Sequence, residues 1–132
     1  MFDEDDRIVG PSKLVCTFDK TIGCRSTNVI YGIWCCVCRL VVYVGETGGT
    51  LYQRSLNHLS SVRCRRQGME VASHFSGEGH SVEDIRVIGL EKVYKNWVTY
   101  RRAREHRWMD LLGTYQRLGG LNKNMPVERY SI

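Results

Sequence analysis

The stretch NVIYGIWCCVCRLVVYVGETGG, residues 28–49, sets two apolar runs on either side of a cysteine cluster. Val29, Ile30, Tyr31, Ile33 and Trp34 suit a strand over 28–35. Leu40, Val41, Val42, Tyr43 and Val44 suit a second over 39–45. The connection between them is short, so an antiparallel hairpin is the simplest arrangement. With the turn centred near Val37, Tyr31 faces Tyr43 across the strands, Cβ atoms about 5 Å apart.

Working downstream, GETGGT is expected to be a glycine-rich turn. A helix follows over TLYQRSLNHLSSVRCRR, with Thr50 and Gln53 as a capping-box start. Leu51, Leu56, Leu59 and Val62 give it an apolar stripe, and Arg54 and His58 stand at i and i+4 on one face. EVASHFSGEGH suggests a short helix ending at Gly77 and Gly79. DIRVIGLEKVY predicts a third strand over 84–93. YRRAREHRWMDLLGTY predicts a long helix over about 99–112, with Gly113 as its stop. The expected fold is α+β: a small three-stranded antiparallel sheet flanked by helices. Residues 1–25 lack periodicity and read as an arm or linker, 26–124 as the folded domain, and 125–132 as a tail.

Composition bounds the function. The chain has 132 residues, 42% hydrophobic and 25% charged, as in one globular domain. No apolar run approaches the roughly 20 residues that span a bilayer. The acidic start MFDEDDRIVG lacks the basic-then-apolar order of a signal peptide, so an intracellular protein is expected and no membrane partner. The net charge is +5, and the basic residues cluster in RCRR (63–66) and RRAREHR (101–107). Such clusters favour polyanions, although a solvated helix face gives the same pattern.

Six cysteines in an intracellular chain argue for a metal site or free thiols rather than a disulfide scaffold. Cys35 and Cys38 form a CxxC at the hairpin tip, half of a tetrahedral zinc site. His74 and His80 could supply the other half, clipping the tip to the segment after the first long helix. Cys36 is a rival ligand, paired with Cys38 in tighter geometry. A redox CxxC needs a strand-to-helix context, which is missing.

The chain resembles the GIY-YIG nuclease family. The first signature stands here as VIY (29–31) and the second as YVG (43–45), with eleven residues between them. Val29 occupies the slot of the family's glycine. The resemblance is closest to the endonuclease domain of Penelope-like retroelements. NVIYGIWCCVC, VYVGETGGTLYQRSLNH, VASHFSGEGHS and RRAREHRWMDLLGT…GLN all look like that group, in order, over roughly residues 24–124.

That resemblance implies a divalent-metal-dependent DNA endonuclease serving retroelement target-site cleavage, in the nucleus or elsewhere inside the cell. A reverse transcriptase of the same element is an implied partner. It casts Tyr31, Tyr43, Arg54, His58, Glu105 and Asn122 as catalytic. Glu105 is the ligand of Mg²⁺ or Mn²⁺, Arg54 the phosphate-facing cation, and Tyr31 the general base or water-positioning group. Tyr43 is its partner, His58 a proton relay and Asn122 a positioning residue. Cys35, Cys38, His74 and His80 match a structural Zn²⁺ site in the group. Arg63, Arg65, Arg66, Arg101, Arg102, Arg104 and Arg107 are suited to the DNA backbone. A phenol is a poor base at neutral pH unless cations lower its pKa, which Arg54 and the metal could do. The rival readings are a catalytically inactive, zinc-stabilised DNA-binding module and an adaptor with an exposed apolar patch near Trp97 and Trp108.

Overall fold

The computed structural model of the protein describes residues 15–17, 21–94 and 97–124. Its strands are β1 (Val15–Thr17), β2 (Thr27–Cys35), β3 (Leu40–Thr50) and β4 (Ile85–Lys92). Its α-helices are α1 (Leu51–Arg63), α2 (Glu70–Phe75) and α3 (Val98–Leu112). The elements from β2 onward follow the expected order. β4, β2 and β3 form the antiparallel three-stranded core, and β1 adds a short parallel strand beside β4. Val15–Thr17 lies in the stretch read as an arm, and Ile22 and Cys24 are buried in the core. The tail from 125 lies outside the described residues.

The sheet is packed on both faces. Alternation along β2 sends Val29, Tyr31, Ile33 and Cys35 to one side, where Leu51, Leu59 and Val62 of α1 and Val71 and Phe75 of α2 meet them. Ile30, Val44 and Leu90 point the other way, onto Met109 and Trp108 of α3. Two layers of helix thus enclose one small sheet.

The hairpin register differs from the expected one. Tyr31 lies opposite Gly45, and Tyr43 opposite Ile33. The turn takes four residues, with Arg39 in the left-handed region at φ 61° to close it. A bulge then falls between the Ile33–Tyr43 and Trp34–Val41 pairs, with Val42 as the extra residue. The slip totals two positions, so the tyrosines stay on one face as diagonal neighbours. Gly45 is required here, because a Cβ would overlap the Tyr31 hydroxyl and ring that lie across it.

GETGGT is strand rather than turn: β3 runs on to Thr50. A second bulge, between the Thr27–Thr50 and Val29–Thr47 pairs, absorbs the glycines. Thr50 caps α1 by accepting from the Gln53 backbone N–H at 3.1 Å. The Gln53 side chain donates to Asn57 instead of reaching back, so the cap is one-sided. α1 ends at Arg63, three residues early, where Cys64 and a left-handed Arg65 turn the chain. Gly113 ends α3 in the left-handed conformation, as its position suggested.

Candidate functional site

Two clusters of chemistry-bearing side chains emerge. The first sits at the hairpin tip. Cys35 ends β2 and Cys38 lies in the turn. His74 is on α2, and His80 follows the Gly77–Gly79 loop. Their ligand atoms all lie within 4.8 Å of one another. Cys38 Sγ is 3.6 Å from His74 Nε2 and 3.6 Å from His80 Nε2. Tetrahedral zinc with ordinary Zn–S and Zn–N bonds sets that edge at roughly 3.6 Å. The backbone N–H of Cys38 donates to Cys35 Sγ at 3.3 Å, and His80 Nδ1 is 3.3 Å from the Glu78 carbonyl. Donation from Nδ1 to that carbonyl fixes the tautomer that leaves Nε2 for a metal. These four residues can hold a metal ion such as zinc. Cys36 is outside the group, so the i,i+3 thiol pair is the one the fold assembles.

The second cluster is buried where β2, β3, α1 and α3 converge. Tyr31 Oη lies 2.7 Å from His58 Nε2, one turn beyond Arg54 on α1. The His58 ring is met edge-on by Tyr31 and by Tyr43, with centroids 5.6 and 5.7 Å away. Burial and the nearby Arg54 cation push His58 down to about 4, so its ring is neutral at pH 7. Burial pushes the Tyr31 hydroxyl well above the ordinary phenol value, with Tyr43 adding to it. Tyr43 is raised by burial and then by Glu105. Arg54 lowers both, but burial outweighs it. The expectation that Arg54 would bring a tyrosine towards neutral pH is therefore not met by the protein alone.

Glu105 projects from α3 into the same field. Burial, then the Glu46 carboxylate, raises it to about 7 against the pull of Arg102, Arg54 and Arg101. Glu46, directly after the YVG glycine, accepts an ion pair from Arg101 Nε. Arg101 Nη1 also donates to Asn28 Oδ1 at 3.0 Å. Asn122 is buried and clamps β3: Val44 N–H donates to its Oδ1 at 2.8 Å, and its Nδ2 donates to the Val44 carbonyl at 2.9 Å. It fixes the backbone between Tyr43 and Gly45.

The arginines divide. Arg101 is buried in its pair with Glu46. Arg104 grips Glu91 with two nitrogens, at 2.9 to 3.1 Å, beside the Trp108 N–H on the same carboxylate. These two fasten α3 to the sheet and do not present free charge to a backbone phosphate. Arg63, Arg65, Arg66, Arg102 and Arg107 are exposed.

Sequence reasoning missed Glu46. Its position after Gly45 was visible, but its face depends on the bulges in β3. It also missed Asn28, whose left-handed φ of 55° had no glycine to announce it. Comparison with protein-family models, curated proteins and solved structures finds no match to this chain.

Proposed function

We propose that the protein is a divalent-metal-dependent DNA endonuclease of the GIY-YIG type, one that nicks or cleaves DNA in retroelement target-site cleavage. The observation that carries this reading is the convergence of Tyr31, Tyr43, Arg54, His58 and Glu105 in one electrically coupled, largely buried cluster, with Tyr31 and Tyr43 both against the His58 ring. These residues come from four elements and span much of the chain. A packed core has no need to bury a carboxyl and an arginine among tyrosines. Arg54 Nε is buried with no acceptor among the described residues, and an arriving phosphate oxygen would satisfy it.

The residues fit a hard divalent cation. Burial first and Glu46 second raise Glu105 to about 7 against three arginines, and a divalent cation bound at its carboxylate would favour the ionised form. Glu105 would hold Mg²⁺ or Mn²⁺, which supplies charge stabilisation to the phosphorane and the leaving oxygen.

The protein's own groups do the rest. Arg54 binds and orients the phosphate. Tyr31, too weak an acid to stand ionised, acts with His58. Its oxygen takes a proton from the attacking water as its own proton passes to His58 Nε2, 2.7 Å away. Burial and Arg54 oppose the resulting imidazolium, and the negative phosphate beside Arg54 offsets that opposition. Tyr43 meets the edge of the His58 ring and holds it in place. Asn122 fixes the strand that carries Tyr43. Arg63, Arg65, Arg66, Arg102 and Arg107 attract the DNA backbone.

Supercoiled plasmid incubated with the protein and Mg²⁺ should be nicked, and Glu105→Ala should abolish nicking while leaving the fold and most DNA binding intact. Unchanged nicking by that variant removes this site. Salt-sensitive binding by a parent protein that never nicks would instead select the inactive, zinc-stabilised DNA-binding module.

A further inference from the structure

The two arginines that fasten α3 to the sheet stand differently towards the Tyr/Glu cluster. Arg104 is half-buried and grips Glu91 on β4. Arg101 is 6% exposed, and its guanidinium joins three segments. Its Nε pairs with Glu46 on β3, and its Nη1 donates to Asn28 Oδ1 at 3.0 Å at the start of β2. A Cβ at Gly48 would come within 3.1 Å of its Nη2. Each link leads to the cluster. Glu46 follows Gly45, whose missing Cβ makes room for the Tyr31 ring. Asn28 stands three residues before Tyr31, in the left-handed region at φ 55°. Glu105 follows Arg101 by four residues, one turn of α3 and about 6 Å along its axis. Glu46 is among the charges that raise Tyr31, Tyr43 and Glu105, and Glu91 is not.

Fastening alone does not call for a buried ion pair. Well-packed apolar residues of similar volume hold two elements together as firmly or better. Apolar contact is non-directional, however, and fixes the axial and rotational setting of a helix only loosely. A planar guanidinium with donors committed to two strands fixes both. We propose that Arg101, held by Glu46 and Asn28, is a positioning residue that sets the Glu105 carboxylate against Tyr31, Tyr43 and Arg54. This deepens the endonuclease reading and rests on it for what that carboxylate does. Arg101 acts through α3 and meets neither phosphate nor metal. The leverage is large, because a misplacement of about 1 Å among reacting groups costs on the order of 10²-fold in rate.

The experiment replaces each arginine by lysine, which keeps the charge and loses the fork. Three quantities are read: single-turnover nicking, affinity for duplex DNA in magnesium-free buffer, and Mn²⁺ binding without DNA. The last is followed by electron paramagnetic resonance, counting only the Mn²⁺ that Glu105→Ala removes. Circular dichroism checks folding. Arg101→Lys should slow nicking and weaken Mn²⁺ binding by about 10- to 100-fold, with duplex affinity within about twofold of the parent. Arg104→Lys should lower the melting temperature while leaving rate and Mn²⁺ affinity within about threefold of the parent. Asn28→Gly takes one acceptor from the guanidinium, and glycine adopts the left-handed backbone without strain. It should shift rate and Mn²⁺ affinity the same way by about 3- to 10-fold, and it decides the matter if Arg101→Lys does not fold. Parental rate and Mn²⁺ affinity in the folded Arg101→Lys protein, or failing that in Asn28→Gly, overturn the positioning role. So do equal losses in Arg101→Lys and Arg104→Lys, since both would then be fasteners only. So does a loss of duplex affinity as large as the loss of rate, since Arg101 would then be a DNA contact. A parent that never nicks, with Mn²⁺ binding weakened in the Arg101 and Asn28 variants alone, supports the positioning role and sinks the cleavage reading. A parent that neither nicks nor binds Mn²⁺ through Glu105 overturns both.

Discussion

The two Cys/His and Tyr/Glu clusters sit at opposite ends of the same hairpin logic. The Cys/His group is assembled from two local pairs, Cys35 with Cys38 and His74 with His80, brought together by one contact between a turn and a loop. It lies near the surface, and its ligand spacing already suits tetrahedral metal. The Tyr/Glu group draws on β2, β3, α1 and α3, is largely buried, and holds His58 and Glu105 far from their ordinary ionisation. The first cluster can hold a metal ion, and the second keeps ionisable groups out of water. A metal knuckle can be specified by short-range spacing, whereas a buried cluster of ionisable groups needs the whole fold to hold unfavourable neighbours in place.

The largest effect should come from breaking the first cluster. Protein as purified should contain one equivalent of zinc, and Cys38→Ser should lose it and much of the stability. Metal binding is coupled to folding in a chain this small, and apparent structural-zinc affinities amount to about 10–16 kcal/mol. Cys36→Ser should keep the metal. Elemental analysis with thermal unfolding decides this, and a metal-free, fully stable parent would reduce the group to ordinary thiols.

Breaking the second cluster should cost rate rather than fold. Arg54→Ala should slow nicking by about 10² to 10³, the usual loss for one positioned charge donor. Single-turnover kinetics measure it, and a rate within about twofold of the parent would make Arg54 a bystander.

The strain in that cluster should also appear in acid. His58 titrates at about 4 when folded and near 6.5 when unfolded. Between those values the unfolded chain binds more protons. The stability tied to a neutral His58 is therefore complete above pH 6.5 and is lost as pH falls towards 4, a change of about 3 kcal/mol. Urea unfolding of the parent against His58→Asn at several pH values isolates it from His74 and His80. Parallel pH profiles for the two proteins would refute it.

The smallest effect belongs to the exposed arginines that neither cluster uses. Arg65→Ala/Arg66→Ala should lower the slope of log affinity against log salt by about 1 to 2 for duplex DNA. An unchanged slope would move the interface to Arg102 and Arg107.

How much was legible follows the same division. The Cys35, Cys38, His74 and His80 set was readable because spacing alone brings each pair together. The element order was readable because Leu51, Leu59 and Val62, or Ile85 and Val87, repeat at the period of their element. The hairpin register was not, because nothing in a run of β-branched residues marks Val42 as a bulge. The fates of Arg101 and Arg104 were hidden for a related reason. Five charges in seven residues look like a surface, and only the packing of α3 against the sheet shows that Glu46 and Glu91 claim two of them. The Tyr/Glu group itself was suggested by a family resemblance, and its residues carry no local mark of their joint burial.

The Asn122 clamp has one more consequence. Among the described residues β3 lies at the margin of the sheet, with β2 on one side only. Leu121 N–H donates to the Val42 carbonyl at 2.9 Å, and the Asn122 side-chain amide occupies both hydrogen-bonding groups of Val44. A two-residue segment thereby imitates a neighbouring strand for the most apolar part of that margin. Open edges of this kind recruit other chains into intermolecular sheet. The side chain that aligns the Tyr43 backbone is thus also a guard against aggregation. A change that frees Val44 would expose a sticky edge as well as misplace a tyrosine.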